Sequence, residues 1–290
     1  MKPAFPILLL AALGALPGAS ATATTVAASD VAVDAPWTAS ISKSDPSKLH
    51  LNVIEDRHGT LGTSVPIAEL SGLTPEEIRG TGRPVTFTLR REAGTITFTG
   101  RFANGTGQGT LRYQGDPAYW SRIAAMGVEN DLTTNRRVNL LALPLLDVRS
   151  DYIAALRREG AMAPLSDYVG MRAVGVRPEM VHEVRPLIAG GLRPHDLMAF
   201  AALGVTPDYA RSMRTIFSSL EAQDLTSMKA LGVTADYIAT MRAAGARIRT
   251  AGDAQSFRAL GISTAAVKRA VEHGRPNPTA SEVMQISMRY

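Results

Sequence analysis

Apolar and polar positions recur in the second half of the chain, in phrases about 28 residues apart. "ALGVTPDYARSM" begins at Ala202 and "ALGVTADYIATM" begins at Ala230. Aligning such phrases on the glycine of "GV", with "LDVRSDYIAALRREG" added, gives five equivalent places, which we call the anchor positions: Asp147, Gly175, Gly204, Gly232 and Gly261. A near-constant period over five copies predicts an array of repeated structural units.

Each unit is predicted to be two short helices. The residues four and one before the anchor are large and apolar, and this spacing places both on one expected buried face. A glycine at the anchor suits the left-handed residue that ends a helix, and a hydroxyl two residues later suits the cap of the next helix. Helices of about ten residues are unstable alone, so stacking must supply the core. The positions are Met171, Phe200, Met228 and Phe257 (anchor minus four), Val174, Leu203, Leu231 and Leu260 (anchor minus one), and Arg177, Thr206, Thr234 and Ser263 (caps).

The first half of the chain alternates with period two. "PVTFTLRREAGTITFTGRF" has apolar residues at every second place, which is typical of half-buried strands. Residues 91–94 and Asn104-Gly105 supply turns, so we expect five or six antiparallel strands between Trp37 and Tyr113. The glycine-rich stretch 105–109 is followed by the strand-like "TLRY" and not by a helix, so a phosphate-binding loop is not predicted.

The sequence therefore predicts an α+β protein, in which an antiparallel β-meander or sandwich precedes an array of α-helical hairpins. The expected divisions are a signal peptide (1–23), a flexible linker (24–36), a β domain (37–115), a connecting helical segment (116–146), five helical repeats (147–275) and a loose tail (276–290).

The first residues have the layout of a cleavable secretory signal. Lys2 precedes an apolar run from Ile7 to Leu16, and small residues follow at positions 19–23. We expect cleavage before Thr22 or Thr24, export to the periplasm or beyond, and no transmembrane segment in the mature chain. The chain has no cysteine, which excludes disulfides and thiol catalysis.

The segment "VTFTLRREAGTITFTGRFANGTGQGTLRY", then "DPAYWSRIAAMG", then the repeated "GVTPDYARSMR" and "MRAAG" phrases follow one another in a distinctive order. In this order they resemble the extracytoplasmic strand-plus-repeat region attached to some bacterial antirepressor-type, beta-lactam-sensing membrane metallopeptidases, over roughly residues 37–274. The resemblance implies an accessory or sensing module outside the cytoplasm. The chain has no H-E-x-x-H motif, so no peptidase or metal role carries over to any residue.

The sequence shows no catalytic constellation. The five histidines, at positions 50, 58, 182, 195 and 273, are far apart and none forms an i, i+4 pair. Glu76-Glu77 in "LTPEEIRG" is typical of a helix start, where acidic side chains favour the positive end of the dipole. We therefore predict no enzyme activity, no cofactor and no metal site.

Arg185, Arg214 and Arg242 share one repeat position, ten residues past their anchors. Two interpretations stay open: a basic stripe for an acidic partner, or cations that complement helix C-termini. The predicted function is an exported, non-catalytic interaction or sensing module whose partner is another envelope protein. The alternative is nucleic-acid binding through helix-hairpin-helix-like turns, although residues 147–275 hold 17 basic and 13 acidic residues, a thin excess for that role.

Overall fold

The computed structural model describes residues 32–54, 60–132 and 136–289. The predicted signal peptide with its cleavage sites, and His58, lie outside these residues.

The first half of the chain forms one antiparallel sheet in the order β3-β2-β1-β7-β6-β5-β4. It has seven strands where five or six were expected, and the first begins inside the predicted linker. The alternation of β1 starts among small residues, and its pairing with β2 and β7 shows that the strand begins at Ala32. The strands are β1 Ala32–Ile41, β2 Lys48–Ile54, β3 Thr60–Pro66, β4 Leu70–Ser71, β5 Thr81–Arg91, β6 Gly94–Ala103 and β7 Thr106–Gly115.

The sheet is curled. Its two edge strands, β3 and β4, are consecutive in the chain and are joined only by the short 3-10 helix Ile67–Glu69, so the edges lie close together. This arrangement is a single curled sheet and not a sandwich of two sheets. Pro66 ends an edge strand. As predicted, Asn104-Gly105 makes a hairpin turn, with φ of 51° and 80°.

An aromatic cluster fills the concave side of the sheet. The rings of Phe87 and Phe98 stack with centroids 4.7 Å apart, and Trp37 meets both edge-on. The glycines of 105–109 belong to this packing: a Cβ at Gly107 would overlap the ring of Phe102. Close packing, and not phosphate binding, accounts for that glycine.

A short helix, α1 (Pro75–Arg79), lies between β4 and β5. Thr74 and Glu77 form a reciprocal capping box at its start, which confirms the helix-start interpretation of Glu76-Glu77. The remaining helices all follow the sheet: α2 Pro117–Ala125, α3 Arg136–Leu145, α4 Ser150–Arg158, α5 Leu165–Ala173, α6 Pro178–Val184, α7 Pro194–Leu203, α8 Pro207–Ile216, α9 Ala222–Ala230, α10 Ala235–Ala243, α11 Ala251–Ala259, α12 Thr264–Glu272 and α13 Ala280–Ser287.

These helices stack in two layers. Even-numbered helices from α2 to α12 pack on one another, odd-numbered helices from α3 to α13 pack on one another, and α3 also packs against β1, β3, β5 and β6. The pairs α3/α4 to α11/α12 are the five predicted units, although the first begins at Arg136 and not at residue 147. None of the helices in the described ranges has the length and apolarity needed to cross a membrane.

The array extends beyond the predicted repeats at both ends. α2 stacks on α4, and α13 stacks on α11 and α12 with Ala280 and Val283 buried. The expectation of a loose tail at 276–290 was wrong for α13. Its prolines precede the helix and do not interrupt it, and Thr279 with Glu282 forms a capping box at the helix start.

The anchor prediction is confirmed. All five anchor residues have positive φ, from 54° at Asp147 to 79° at Gly175. The hydroxyls of Thr206, Thr234 and Ser263 each accept a hydrogen bond from the backbone N–H three residues on, whereas Arg177 makes no side-chain cap.

The two apolar positions of each unit behave differently. The four anchor-minus-four side chains are fully buried, as predicted. Val174, Leu203 and Leu260, one residue before their anchors, are instead 40%, 39% and 49% exposed, so the prediction of a shared buried face was wrong. These residues lie at the helix ends, where the chain turns away from the packed layer.

Candidate functional site

Large apolar residues follow one edge of the helical array. Each immediately precedes an anchor position, at the end of one helix of the stacked odd-numbered layer. Because equivalent places on stacked helices fall beside one another, these residues form a line, which we call the apolar row: Leu146, Val174, Leu203, Leu231 and Leu260.

Two members of the apolar row are less exposed than the others. The Arg172 Nε donates to the Leu146 carbonyl at 2.9 Å, and the Arg258 Nε donates to the Leu231 carbonyl at 3.0 Å. Each arginine belongs to the following unit, so its stem and head lie beside the row. Leu146 and Leu231 are half-buried, whereas the other three members expose about two fifths or more of their surface.

Acidic side chains run beside the apolar row. They lie in the first turn of α4, α6, α8 and α10, where the helix dipole favours negative charge, and we call them the acidic row: Asp151, Glu179, Asp208 and Asp236. All four are exposed.

Ion pairs engage two members of the acidic row. The Arg149 Nη2 lies 2.9 Å from the Asp151 carboxylate, and its hydrogen bond lowers the pKa of Asp151. Asp208 pairs with Arg211 at 2.6 Å. Within the described part of the chain, Glu179 and Asp236 have no ion-pair partner.

Tyrosines and cations hold neighbouring units together behind this edge. The Tyr152 and Tyr209 hydroxyls donate to the carbonyl oxygens of Val176 and Val233 in the next unit, at 2.9 and 3.0 Å. Cations of the next unit lie over the tyrosine rings, 4.7 to 5.2 Å from the centroids, in the pairs Tyr152–Arg172, Tyr209–Lys229 and Tyr237–Arg258. The edge is therefore presented by units that are tied to each other.

One unit boundary lacks both partners of this contact. Met180 occupies the tyrosine place of its unit, and Ala201 occupies the cation place of the next. The tyrosine and the cation are therefore both absent at this boundary, which indicates that the two residue types function as a pair.

The three arginines of the proposed stripe lie on the opposite edge, at the C-terminal ends of the even-numbered helices. Arg214 donates to the carbonyl oxygens of Phe217, at 3.1 Å, and Ser218. Arg242 donates to the Ile248 carbonyl at 2.9 and 2.7 Å. Arg185 follows α6, and its guanidinium lies against Gly160 at the end of α4.

Arg157 occupies the same repeat position and was missed from the sequence. Its Nη2 donates to the Met126 carbonyl, at the end of α2, at 2.9 Å. The sequence does contain a signal for Arg157, because this residue lies ten positions after the anchor Asp147. The carbonyl contacts of Arg157, Arg214 and Arg242 favour the helix-end interpretation over a stripe of free guanidinium groups. The buried Nε and Nη2 of Arg185 have no hydrogen-bond partner among the described residues.

Glu92 joins the sheet to the array, a role for which the sequence carries no local signal. It lies in the β5–β6 turn and accepts a 2.8 Å hydrogen bond from the Ser150 N–H at the start of α4. The Arg122 Nε of α2 donates to the same carboxylate at 2.9 Å. The first helices of the array are thus fixed to the sheet.

Among the described residues, the histidines lie on different elements of the fold. His182 Nδ1 lies 3.0 Å from Glu159, and His50 Nδ1 lies 3.3 Å from the Ser64 hydroxyl, in different parts of the fold. The described ranges contain no group of three or more histidine, aspartate or glutamate side chains placed to hold a metal ion.

No protein-family model, curated protein or solved structure matches this chain.

Proposed function

We propose that the chain is an exported, non-catalytic protein-interaction module that binds a polypeptide segment of another envelope protein along the apolar row. The observation that carries the proposal is the exposure of Val174, Leu203 and Leu260, which are 40%, 39% and 49% exposed at one repeat position. Exposed apolar residues that form a contiguous patch mark interaction sites, whereas scattered ones do not.

The flanking charges specify the chemistry of the partner. The acidic row lies beside the apolar row, and Glu179 and Asp236 have no ion-pair partner in the described structure. A segment that presents apolar side chains flanked by lysine or arginine complements both rows. Complementary charge speeds association and selects partners more than it adds affinity.

The same charges argue against the nucleic-acid alternative. In a helix-hairpin-helix arrangement, the turn and the N-terminus of the second helix would contact phosphate. In α4, α6, α8 and α10 this place holds an exposed carboxylate, which repels phosphate.

The proposals of export and of an envelope partner rest on the start of the sequence, where Lys2 precedes the apolar run. The resemblance to the extracytoplasmic region of antirepressor-type membrane metallopeptidases supports a sensing role for the partner complex. We infer that the chain is a counterpart of such a region.

Site-specific photo-crosslinking in the native envelope tests which edge binds. A benzoylphenylalanine at Leu203 samples the apolar row, one at Arg214 samples the opposite edge, and one at Met288, which is 78% exposed, serves as the control. We expect a crosslinked protein from Leu203 and none from the other two positions.

The crosslinked protein is then purified and titrated with variants. Val174→Ser, Leu203→Ser and Leu260→Ser together should weaken binding about tenfold or more, because exposed apolar contacts are removed from the interface. Met162→Ser with Met288→Ser, exposed apolar residues outside the row, should leave binding unchanged. A crosslink from Arg214 alone, or full binding by the triple variant, would contradict the proposal. Salt-sensitive DNA binding at micromolar affinity would support the alternative.

A further inference from the structure

A cavity of about 450 Å³ opens at the end of the curled sheet where the two sheet edges meet. Its walls come from the end of β1, the 3-10 helix, β4 and α1. The lining includes Ile41, Ile67, Leu70, Leu73, Ile78 and Arg79. We propose that this cavity binds a medium-chain monocarboxylate, with the alkyl chain against the apolar wall and the carboxylate at Arg79. The cavity and its ligand go beyond the interaction function proposed above.

The apolar part of the cavity follows from the way in which the sheet curls. Leu70, Leu73 and Ile78 form a buried floor, while Ile41 and Ile67 are only half-buried. The three-residue link between the edge strands cannot cover this end, so apolar side chains are left facing the opening. The volume lies in the range of small-molecule sites, which are mostly apolar with a few polar groups that orient the ligand.

Arg79 is the charged residue of the lining, and it is free to bind an anion. It is exposed and makes no hydrogen bond or ion pair with the described residues. Neighbouring carboxylates are already engaged: Asp45 with Lys48 at 3.2 Å, Glu69 with Arg91, and Glu77 in the capping box of α1. Glu76, earlier on α1, lies outside the lining.

The chemistry of these groups selects the ligand class. A guanidinium binds a carboxylate through two parallel N–H···O bonds, and the apolar wall favours an alkyl chain over a polar one. A single basic residue in the lining suits one negative charge and not a polyanion.

The cavity is separate from the helical array. The array meets the sheet through α3 and through Glu92 in the β5–β6 turn. The cavity is formed by the β1–β2 connection and α1, at the other end of β5 and β6.

Calorimetric titration of the purified chain with octanoate tests the proposal, with octan-1-ol and acetate as matched probes. Arg79→Gln removes the charge, and Arg83→Gln, an exposed arginine outside the lining, is its control. Ala68→Phe places a ring in the opening, and circular dichroism confirms that each variant is folded.

We expect octanoate to bind, and the alcohol and acetate to bind about tenfold more weakly or worse, because each lacks one half of the recognised chemistry. Arg79→Gln should weaken octanoate binding about tenfold or more, whereas Arg83→Gln should not change it. Equal binding of octanoate and octanol, equal loss in both arginine variants, or no binding to the parent chain would overturn the proposal. If Ala68→Phe does not fold, the comparison of Arg79→Gln with Arg83→Gln decides the result.

Discussion

The phenolic oxygen of Tyr209 lies 3.0 Å from the carbonyl oxygen of Val233 in the next unit. The equivalent hydroxyl of Tyr237 is buried without a hydrogen-bond partner among the described residues. A cleft of about 290 Å³ lies beside Tyr237, between it and the last unit. The unit boundary at Tyr209 therefore has a hydrogen bond that the boundary at Tyr237 lacks.

This difference predicts unequal effects of removing the two hydroxyls. Tyr209→Phe should lower the free energy of unfolding by about 0.5–1.5 kcal/mol, since it deletes a hydrogen bond and leaves a carbonyl without its donor. Tyr237→Phe should leave stability unchanged or raise it, because no bond is lost and a buried polar atom is removed. Urea melts of both variants provide the test, and equal losses would show that the Val233 contact is not the cause.

The two apolar positions of α7, Phe200 and Leu203, should contribute unequally to the free energy of unfolding. Phe200 is fully buried, and Phe200→Ala should cost about 3–5 kcal/mol through lost burial and a residual cavity. Leu203, three residues later, is 39% exposed, and Leu203→Ala should lower the free energy of unfolding by no more than about 1 kcal/mol. Denaturant melts compare them on one helix. Equal costs would mean that Leu203 belongs to the core and not to a free edge.

A triple substitution can decide which of two roles belongs to Arg185, Arg214 and Arg242. They either stabilise helix ends or bind a partner. Because their guanidinium groups lie at helix ends, changing all three to Gln should cost roughly 0.3–1 kcal/mol each and leave partner binding intact. Replacing three exposed sheet arginines, Arg83, Arg101 and Arg112, gives a variant of equal charge change. A melt and a binding assay are run on both variants. Weaker association at low salt, seen only for the first triple, would restore the basic stripe.

Asp196 should make stability depend on pH in the acid range. Its side chain is 7% exposed, and its hydrogen bonds with Arg193 lower its pKa below the usual value near 3.8. A lowered folded-state pKa gives stability that is present above about pH 4 and is lost as the pH falls through the folded value.

Asp196→Asn should therefore be less stable than the parent at pH 7, by about 1–3 kcal/mol, and the difference should shrink below about pH 4. Urea melts between pH 2 and pH 7 measure the difference. A gap that stays constant over this range would show that the lost capping geometry, and not the charge, is responsible.

Much of the helical half could be predicted because its signals are local. A left-handed residue at a helix end favours glycine, and a hydroxyl cap needs only the N–H three residues on, so each signal lies within a few residues. Alignment of the repeated phrase located Asp147, where glycine is replaced and φ remains positive at 54°. The strand turns at Asn104-Gly105 were predictable for the same reason.

Properties that depend on distant residues were decided only by the tertiary structure. Helical periodicity placed Leu203 with Phe200, but the packing of the next unit determines which of them is covered. The pairing of β1 with β7 joins residues more than 60 positions apart, and from it follow the seventh strand, the curl of the sheet and the cavity at Arg79. The sequence by itself determined the repeat, its turns and its caps, because these are short-range backbone preferences. The exposed edge, the carbonyl contacts of Arg214 and Arg242, and the cavity depended on which remote surfaces the stacked units and the curled sheet bury.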